Sequence, residues 1–253
     1  MRNVLAIAEK ELRSYFASPM AYVIIGFFLL PFGVFFYLYL NMFVRNSMQM
    51  AQFGGSQSVN QQVIRLVLQN ASVIILFIMP MITMRTYAEE KRSGTIELLL
   101  TSPVTDFQIV MGKFLGAMAL YCAMLAVTLI HFGILFIYGR PEWKPILTAY
   151  LGLLLFGGCF IAVGLFISSL SKNQIVAGAS TFAVFLLLWV ITWIGSFTGP
   201  TGDKLTSYLS IVDHFDDFTK GVIDTTHLVY YLSFITFGLF LTAKSVDSER
   251  WRG

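Results

Sequence analysis

The chain has 253 residues, of which 57% are hydrophobic and only 12% are charged, and its net charge is +3. A soluble domain carries about 25% charged residues, so a soluble fold of this size could not cover its surface with polar groups. The composition excludes an ordinary soluble enzyme and predicts an integral membrane protein. The two cysteines are too few for a disulfide framework.

The first segment, residues 1–18, has apolar positions at helical spacing and charged positions on the opposite side. This pattern is typical of an amphipathic helix that lies flat at a membrane surface. Pro19 ends the segment and leads into the first span. The alternative is an ordinary juxtamembrane tail. The residues expected to mark the interfacial helix are Glu9, Lys10, Leu12, Arg13 and Tyr15.

Six long uncharged runs follow within residues 19–253. About 20 apolar residues of helix cross a bilayer, and the runs lack the alternation of membrane-spanning strands. They predict an all-α integral membrane domain of six transmembrane helices. No cleavable signal peptide is expected, because the first run is long and follows charged residues. The predicted spans are about 20–44, 66–86, 108–139, 146–170, 174–198 and 225–243.

The segments between the spans indicate how the chain is oriented. With the N-terminus inside, the outer segments hold six of the 17 Lys and Arg residues, and the remainder lie on the inner side. This bias has the sign of the positive-inside rule, so we expect both the N and C termini in the cytoplasm. The first outer segment, 41–65, is polar and contains a Gly-Gly pair, which predicts a flexible loop.

The loop 87–107, between the second and third spans, combines a charged run with a short apolar helix. Gly94 ends one helix, Thr95 can cap the next, and Glu97 lies in its first turn, where a negative charge suits the helix dipole. Pro103 ends this helix within two turns. So short a helix with an exposed leucine run is not stable alone. This helix either packs under the transmembrane bundle or docks to another protein.

Three other positions allow both a functional and a purely structural interpretation. His214, among Asp213, Asp216 and Asp217, could join a metal site, although a solvated cluster is the commoner outcome. His131 is an ionisable group inside the third span, where a hydrogen bond across helices is favoured over a functional role. A Gly-x-x-x-Gly at residues 112–116 lets two helices approach closely, either within one subunit or between subunits.

Three stretches of the sequence resemble the ABC-2-type permeases, the membrane subunits of type V ABC exporters. EEKRSGTIELLLTSPVTDFQIVMGK resembles the first cytoplasmic loop of that family. EKELRSYFASPMAY resembles its connecting helix, and LSIVDHFDDFTKGVIDTTHLVYYLSF resembles its outer re-entrant segment before span six. Within the family, the chain most resembles the gliding-motility and copper-maturation type of permease.

The resemblance implies that the short helix is a coupling helix, which docks into a separate ABC ATPase subunit. It also implies two ATPase copies, a second permease (a copy or a sister chain), surrounding membrane lipid, room for a periplasmic partner, and a bacterial inner-membrane location. No cofactor, metal or nucleic-acid partner is expected. The residues expected to dock are Glu89, Glu90, Arg92, Gly94, Thr95, Ile96, Glu97, Leu98, Leu99 and Pro103.

The predicted function is that of a permease subunit driven by ATP hydrolysis in a partner chain. Its work would be the export or extraction of a substrate, or the transmission of force across the membrane. The chain itself is not expected to be an enzyme, because it contains no G-x-x-x-x-G-K-[ST] motif. The alternative is a six-span secondary carrier, or a membrane scaffold, that is not coupled to ATP.

Overall fold

The computed structural model describes residues 2–51, 58–101, 103–139, 141–197 and 206–250, and these contain helices and no strand. Six of the helices are long and apolar enough to cross a membrane. The prediction of an all-α chain with six membrane-spanning helices is therefore confirmed. The helices are α1 (Arg2–Ala17), α2 (Met20–Ala51), α3 (Arg65–Thr83), α4 (Ala88–Ser93), α5 (Thr95–Thr101), α6 (Asp106–Tyr138), α7 (Trp143–Leu170), α8 (Gln174–Phe197), α9 (Asp213–Thr219) and α10 (Thr225–Arg250).

The expectation of a flexible loop over 41–65 is wrong for most of that segment. Helix α2 continues to Ala51, and a π-helical turn, Asn60–Ile64, leads directly into α3. Asn41 lies within α2, and its side-chain amide donates a hydrogen bond to the Tyr37 carbonyl, one turn earlier, at 3.1 Å. Polar residues can extend a helix beyond the bilayer because water satisfies their side chains there, so polarity alone did not mark the end of α2. Residues 52–57 lie outside the described residues.

Helix α7 forms the centre of the bundle and packs against α3, α6, α8, α9 and α10. Helices α3 and α7 are mostly buried, whereas α2, α8 and α10 are mostly exposed on one side. Two glycines of α7 allow the close approach: the Tyr121 ring of α6 lies over Gly157, and the Thr83 side chain of α3 lies over Gly164. A side chain at either glycine would displace its neighbour. The small residues of this span therefore serve packing inside the subunit.

The short helix α9 enters the bundle beside α7. Phe215 and Phe218 are buried, and the Phe215 ring lies 5.8 Å from the ring of Phe156, which is in the middle of α7. A Cβ at Gly152 would lie 2.7 Å from the Phe218 Cβ, so α9 and α7 are in close contact. Gly221, with φ of 89°, turns the chain into α10.

The bundle has two ends that differ in composition. One end, here called the α1 end, carries α1, α4, α5, the start of α6 and the last turn of α10. An ion pair of 2.6 Å between Lys91 of α4 and Glu249 of α10 shows that the last turn of α10 lies there. The opposite end, called the α9 end, carries α9 and the starts of α3, α7 and α10.

Candidate functional site

A buried lysine organises the α1 end. Lys113 lies in the third turn of α6, a helix that begins in a capping box between Thr105 and Gln108. Its side chain is only 1% exposed, and its Nζ lies 3.1 Å from the Glu11 carboxylate and 2.9 Å from that of Glu90. The same ammonium donates to the Thr86 carbonyl at 2.8 Å. A buried charge needs such partners, so Lys113 ties α1 and α4 to α6.

A second cation joins this network from the exposed side of α1. The Lys10 Nζ lies 3.4 Å from Glu11 and 3.1 Å from Glu90. Burial alone would raise the pKa of Glu11, but the ammonium groups of Lys113 and Lys10 outweigh it and hold that pKa below its usual value. Burial would lower the pKa of Lys10, but the carboxylates of Glu11 and Glu90 outweigh it and raise that pKa. Glu11 is therefore ionised and Lys10 protonated at neutral pH.

Helix α1 is seated on α6 at two glycines. A Cβ at Gly112 would lie 2.6 Å from the Ile7 Cβ, and a Cβ at Gly116 would lie 2.6 Å from the Glu11 Cβ. The Gly-x-x-x-Gly pattern thus serves a contact between two helices of one subunit, which decides between the two alternatives that its spacing allows. Tyr15 completes the seat by donating its hydroxyl to the Ile82 carbonyl at 2.9 Å.

The expected interfacial residues divide between the two sides of α1. Tyr15 is buried and Leu12 is partly buried, whereas Glu9 and Arg13 pair with each other on the exposed side. The sequence pattern did not select Ile7 and Glu11, which face α6. Glu11 could have been suspected, because it is an acidic residue on the same side of the helix as Tyr15, one turn away.

Among the described side chains of the expected docking helix, α5, one apolar residue faces inward and one faces outward. Gly94, with φ of 74°, separates it from α4. Ile96 is 9% exposed and packs into the core, whereas Leu98 is 73% exposed. Leu99 belongs to α5, but its side chain lies outside the described ones. Helix α5 is therefore anchored through Ile96 and presents Leu98 to the surroundings.

The remaining expected docking residues form a polar surface around α5. Glu89 pairs with Arg85 at 3.1 Å, and the Thr95 and Ser93 hydroxyls lie 2.9 Å apart. Arg92, Glu97 and Pro103 are exposed. Glu90 is the exception, because it belongs to the buried network around Lys113.

An open cleft separates α1 from α4 and α5. Its volume is about 530 Å³. Charged and polar side chains of α1 and α4 line most of it, and α5 contributes Thr95 and the exposed Leu98, so an outward leucine lies beside a charged recess. Apolar centres with polar rims are the usual anatomy of a protein interface. The cleft is lined by Lys10, Glu11, Ser14, Tyr15, Arg85, Thr86, Glu89, Glu90, Ser93, Thr95 and Leu98.

The acidic cluster of α9 forms ion pairs with Arg65 and Lys220 and a hydrogen bond with His227. Asp216 lies 2.9 Å from Arg65 and 2.8 Å from Lys220, and Asp217 lies 2.8 Å from Lys220 and 2.9 Å from His227. Within the described ranges, no group of three or more His, Cys, Asp or Glu residues is arranged to hold a metal ion. These carboxylates instead connect α9 to α3 and α10.

The third-span histidine packs against aromatic rings. The His131 ring lies 5.3 Å from that of Phe32 and 5.2 Å from that of Phe36, both on α2. Its Nδ1 atom is buried and has no hydrogen-bond partner in the part of the chain that the structure describes. The expected hydrogen bond across helices is therefore not found for this atom.

The fold defines a membrane protein with six candidate membrane-spanning helices, and its α1 end carries a charged cleft beside an exposed leucine. A family model described as "ABC-2 family transporter protein" matches residues 43–215. This match covers well over half of the chain, which therefore belongs to the ABC-2 family of transporter proteins. The narrower resemblance to gliding-motility and copper-maturation permeases stays a prediction.

Two curated relatives are similar to part of the chain. One is the probable multidrug ABC transporter permease YbhR of Escherichia coli (strain K12), which is 27% identical over 146 residues. The other has the same name and identity and comes from Escherichia coli O157:H7. The aligned stretch is 56% of this chain and 38% of the relative's length.

Proposed function

We propose that this chain is the permease subunit of an ABC transporter and that α5 docks into a separate ABC ATPase. Movement of that ATPase would drive export or extraction of a substrate, or would transmit force across the membrane. The observation that carries the proposal is Leu98, 73% exposed on a short helix whose opposite side is anchored by Ile96. Membership of the ABC-2 family and the names of the two relatives support the same function.

The contacts of α4 offer a route from the docking surface to the spans. Glu90 reaches Lys113 of α6, and through Lys113 it is joined to Glu11 of α1. The backbone amides of Tyr87 and Ala88 donate to the Ser168 hydroxyl of α7 at 3.1 and 3.2 Å. A displacement of α4 by the ATPase would thus act on α1, α6 and α7 together.

The proposed assembly has two ATPase subunits and two permeases, the second permease being a copy of this chain or a sister chain. Helices α2, α8 and α10 have exposed apolar faces for lipid and for the second permease. The α1 end faces the cytoplasm of a bacterial inner membrane, as the distribution of Lys and Arg favours. The α9 end then faces outward, where a periplasmic partner could bind. Drug-like amphiphiles are the first substrates to test, since both relatives are named as multidrug permeases.

The direct test is purification of the tagged protein in mild detergent from cells that naturally produce it, followed by mass spectrometry. The proposal expects an ABC ATPase to copurify with the native chain and to be lost with Leu98→Asp. The matched control is Ile223→Asp, which makes the same kind of change at an exposed residue of the α9 end. Absence of an ABC ATPase from all three preparations would overturn the proposal and favour a secondary carrier or scaffold.

A further inference from the structure

The last turn of α10 contacts the chain on both sides of α5. Glu249 lies 2.6 Å from the Lys91 Nζ at the end of α4. The neighbouring Arg250 lies 2.9 Å from Asp106, the first residue of α6, and donates to the Val104 carbonyl at 3.4 Å. Because α5 lies in the chain between these two attachment points, two adjacent residues of α10 connect to both flanks of the docking helix. We call Glu249 and Arg250 the α10 clamp.

The burial of these two ion pairs indicates which of them contributes more to holding the segment. The Lys91 side chain is 4% exposed, so its ammonium has lost most of its water and depends on Glu249 for compensation. The pair between Arg250 and Asp106 is more exposed, and exposed pairs contribute little. Glu249 should therefore dominate, with Arg250 adding to it.

The docking segment needs such external attachment. Helix α4 has 6 residues and α5 has 7, and helices of this length are not stable alone. Gly94, at φ of 74°, joins them through a backbone conformation that restrains their relative angle weakly. Ile96 and the Glu90–Lys113 pair fix the inner side of the segment, and the clamp is placed to fix its outer side.

We propose that Glu249 and Arg250 are positioning residues that orient α5 for the ATPase and carry its movement into the sixth span. The inference rests on the proposed function and adds α10 to the elements that the ATPase moves. Helix α10 packs along α7 and runs from the clamp to the α9 end. Through it, a displacement of α4 at one end of the bundle reaches the first turn of α10 at the other.

The substitutions belong on α10, because Lys91 and Asp106 also have local roles. Lys91 lies in the last turn of α4 and Asp106 in the first turn of α6, and both charges favour their own helix dipoles. The variants are Glu249→Gln, Arg250→Gln and the two combined. The matched control is Lys244→Gln, on the same helix, where the lysine is exposed and its pair with Asp247 measures 3.8 Å.

Two measurements on the complex with its ATPase in nanodiscs test the inference. One is the Kd for the ATPase, and the other is the ATP-dependent change in hydrogen exchange at the first turn of α10. We expect Glu249→Gln to weaken binding on the order of tenfold and to abolish the ATP-dependent change, with Lys244→Gln like the native chain.

The outcomes separate the inference from the function on which it rests. If the native chain binds no ABC ATPase, the proposed function fails and the clamp fails with it. If the native chain binds the ATPase and Glu249→Gln matches Lys244→Gln in both measurements, the clamp alone is wrong. If Glu249→Gln weakens binding but leaves the ATP-dependent change in hydrogen exchange at the first turn of α10 intact, the clamp does not carry the movement into the sixth span and the inference is wrong.

Discussion

Replacing Lys113 by methionine removes the buried positive charge at the centre of the α1 end. The side chain is 1% exposed and serves two carboxylates and one carbonyl. Methionine is close to lysine in volume but carries no charge, so Lys113→Met leaves Glu11 and Glu90 facing each other across an apolar side chain. We expect α1 and α4 to lose their ionic attachment to α6.

The size of the effect follows from the burial of the partners. Removing one member of a buried ion pair costs about 3–5 kcal/mol, whereas an exposed pair is worth about 0.2–1 kcal/mol. Both carboxylates still pair with Lys10, whose side chain is 61% exposed. The loss of stability on removing Lys113 should therefore lie near the lower limit of the buried-pair range. We expect Lys113→Met to lower the free energy of unfolding by about 3 kcal/mol and Lys10→Met by about 0.5 kcal/mol.

Thermal unfolding of the purified protein in detergent measures this difference. A loss of about 3 kcal/mol corresponds to a fall in midpoint of about 6–12 °C for a domain of this size. Adding Glu11→Gln and Glu90→Gln to Lys113→Met should recover most of the loss, because the uncompensated charges are then gone. The reasoning is refuted if Lys113→Met and Lys10→Met unfold alike, or if the triple variant is no more stable than Lys113→Met.

Two further predictions concern the seat of α1 and the packing of α9. Gly116→Leu should release α1 and speed its cleavage by a protease, because even a Cβ there would lie 2.6 Å from the Glu11 Cβ; Gly133→Leu, with nothing within 4 Å, is the control. If both variants are cut alike, α1 is not seated there. Burial lowers the pKa of His214 from 6.5, so the stability present above that value is lost as the pH falls through the folded-state pKa. When the pH is lowered from about 7.5 to about 5.5, the midpoint temperature of unfolding should fall more for the native protein than for His214→Gln. Equal falls would contradict this.

The membrane architecture could be predicted because it depends on local properties of the sequence. Run length and absence of charge are sufficient to identify a span, and the six uncharged runs correspond to six apolar helices. The end of α2 was predicted too early, because the helix continues through polar residues after its hydrophobic run has ended. Gly94 was recognised as a break, since its position between two short helices requires a residue that tolerates positive φ.

The buried network could not be predicted in full, because its members are distant in the sequence. Lys113 could have been suspected, because an ionisable residue in the early turns of a span marks a position of interest. Its partners Glu11 and Glu90 lie on other helices, and only the fold brings them together. The same limit applied to Asp216, whose pair with Arg65 joins residues far apart in the chain.

Site-specific photocrosslinking in living cells tests the central claim most directly. A photoreactive amino acid is placed at Leu98 in one strain and at Ile223 in another, since both side chains are exposed at opposite ends of the bundle. The account predicts that position 98 crosslinks to a protein whose peptides contain a G-x-x-x-x-G-K-[ST] motif and that position 223 does not. If position 98 yields no such product, or position 223 yields it equally, α5 is not the element that meets an ABC ATPase.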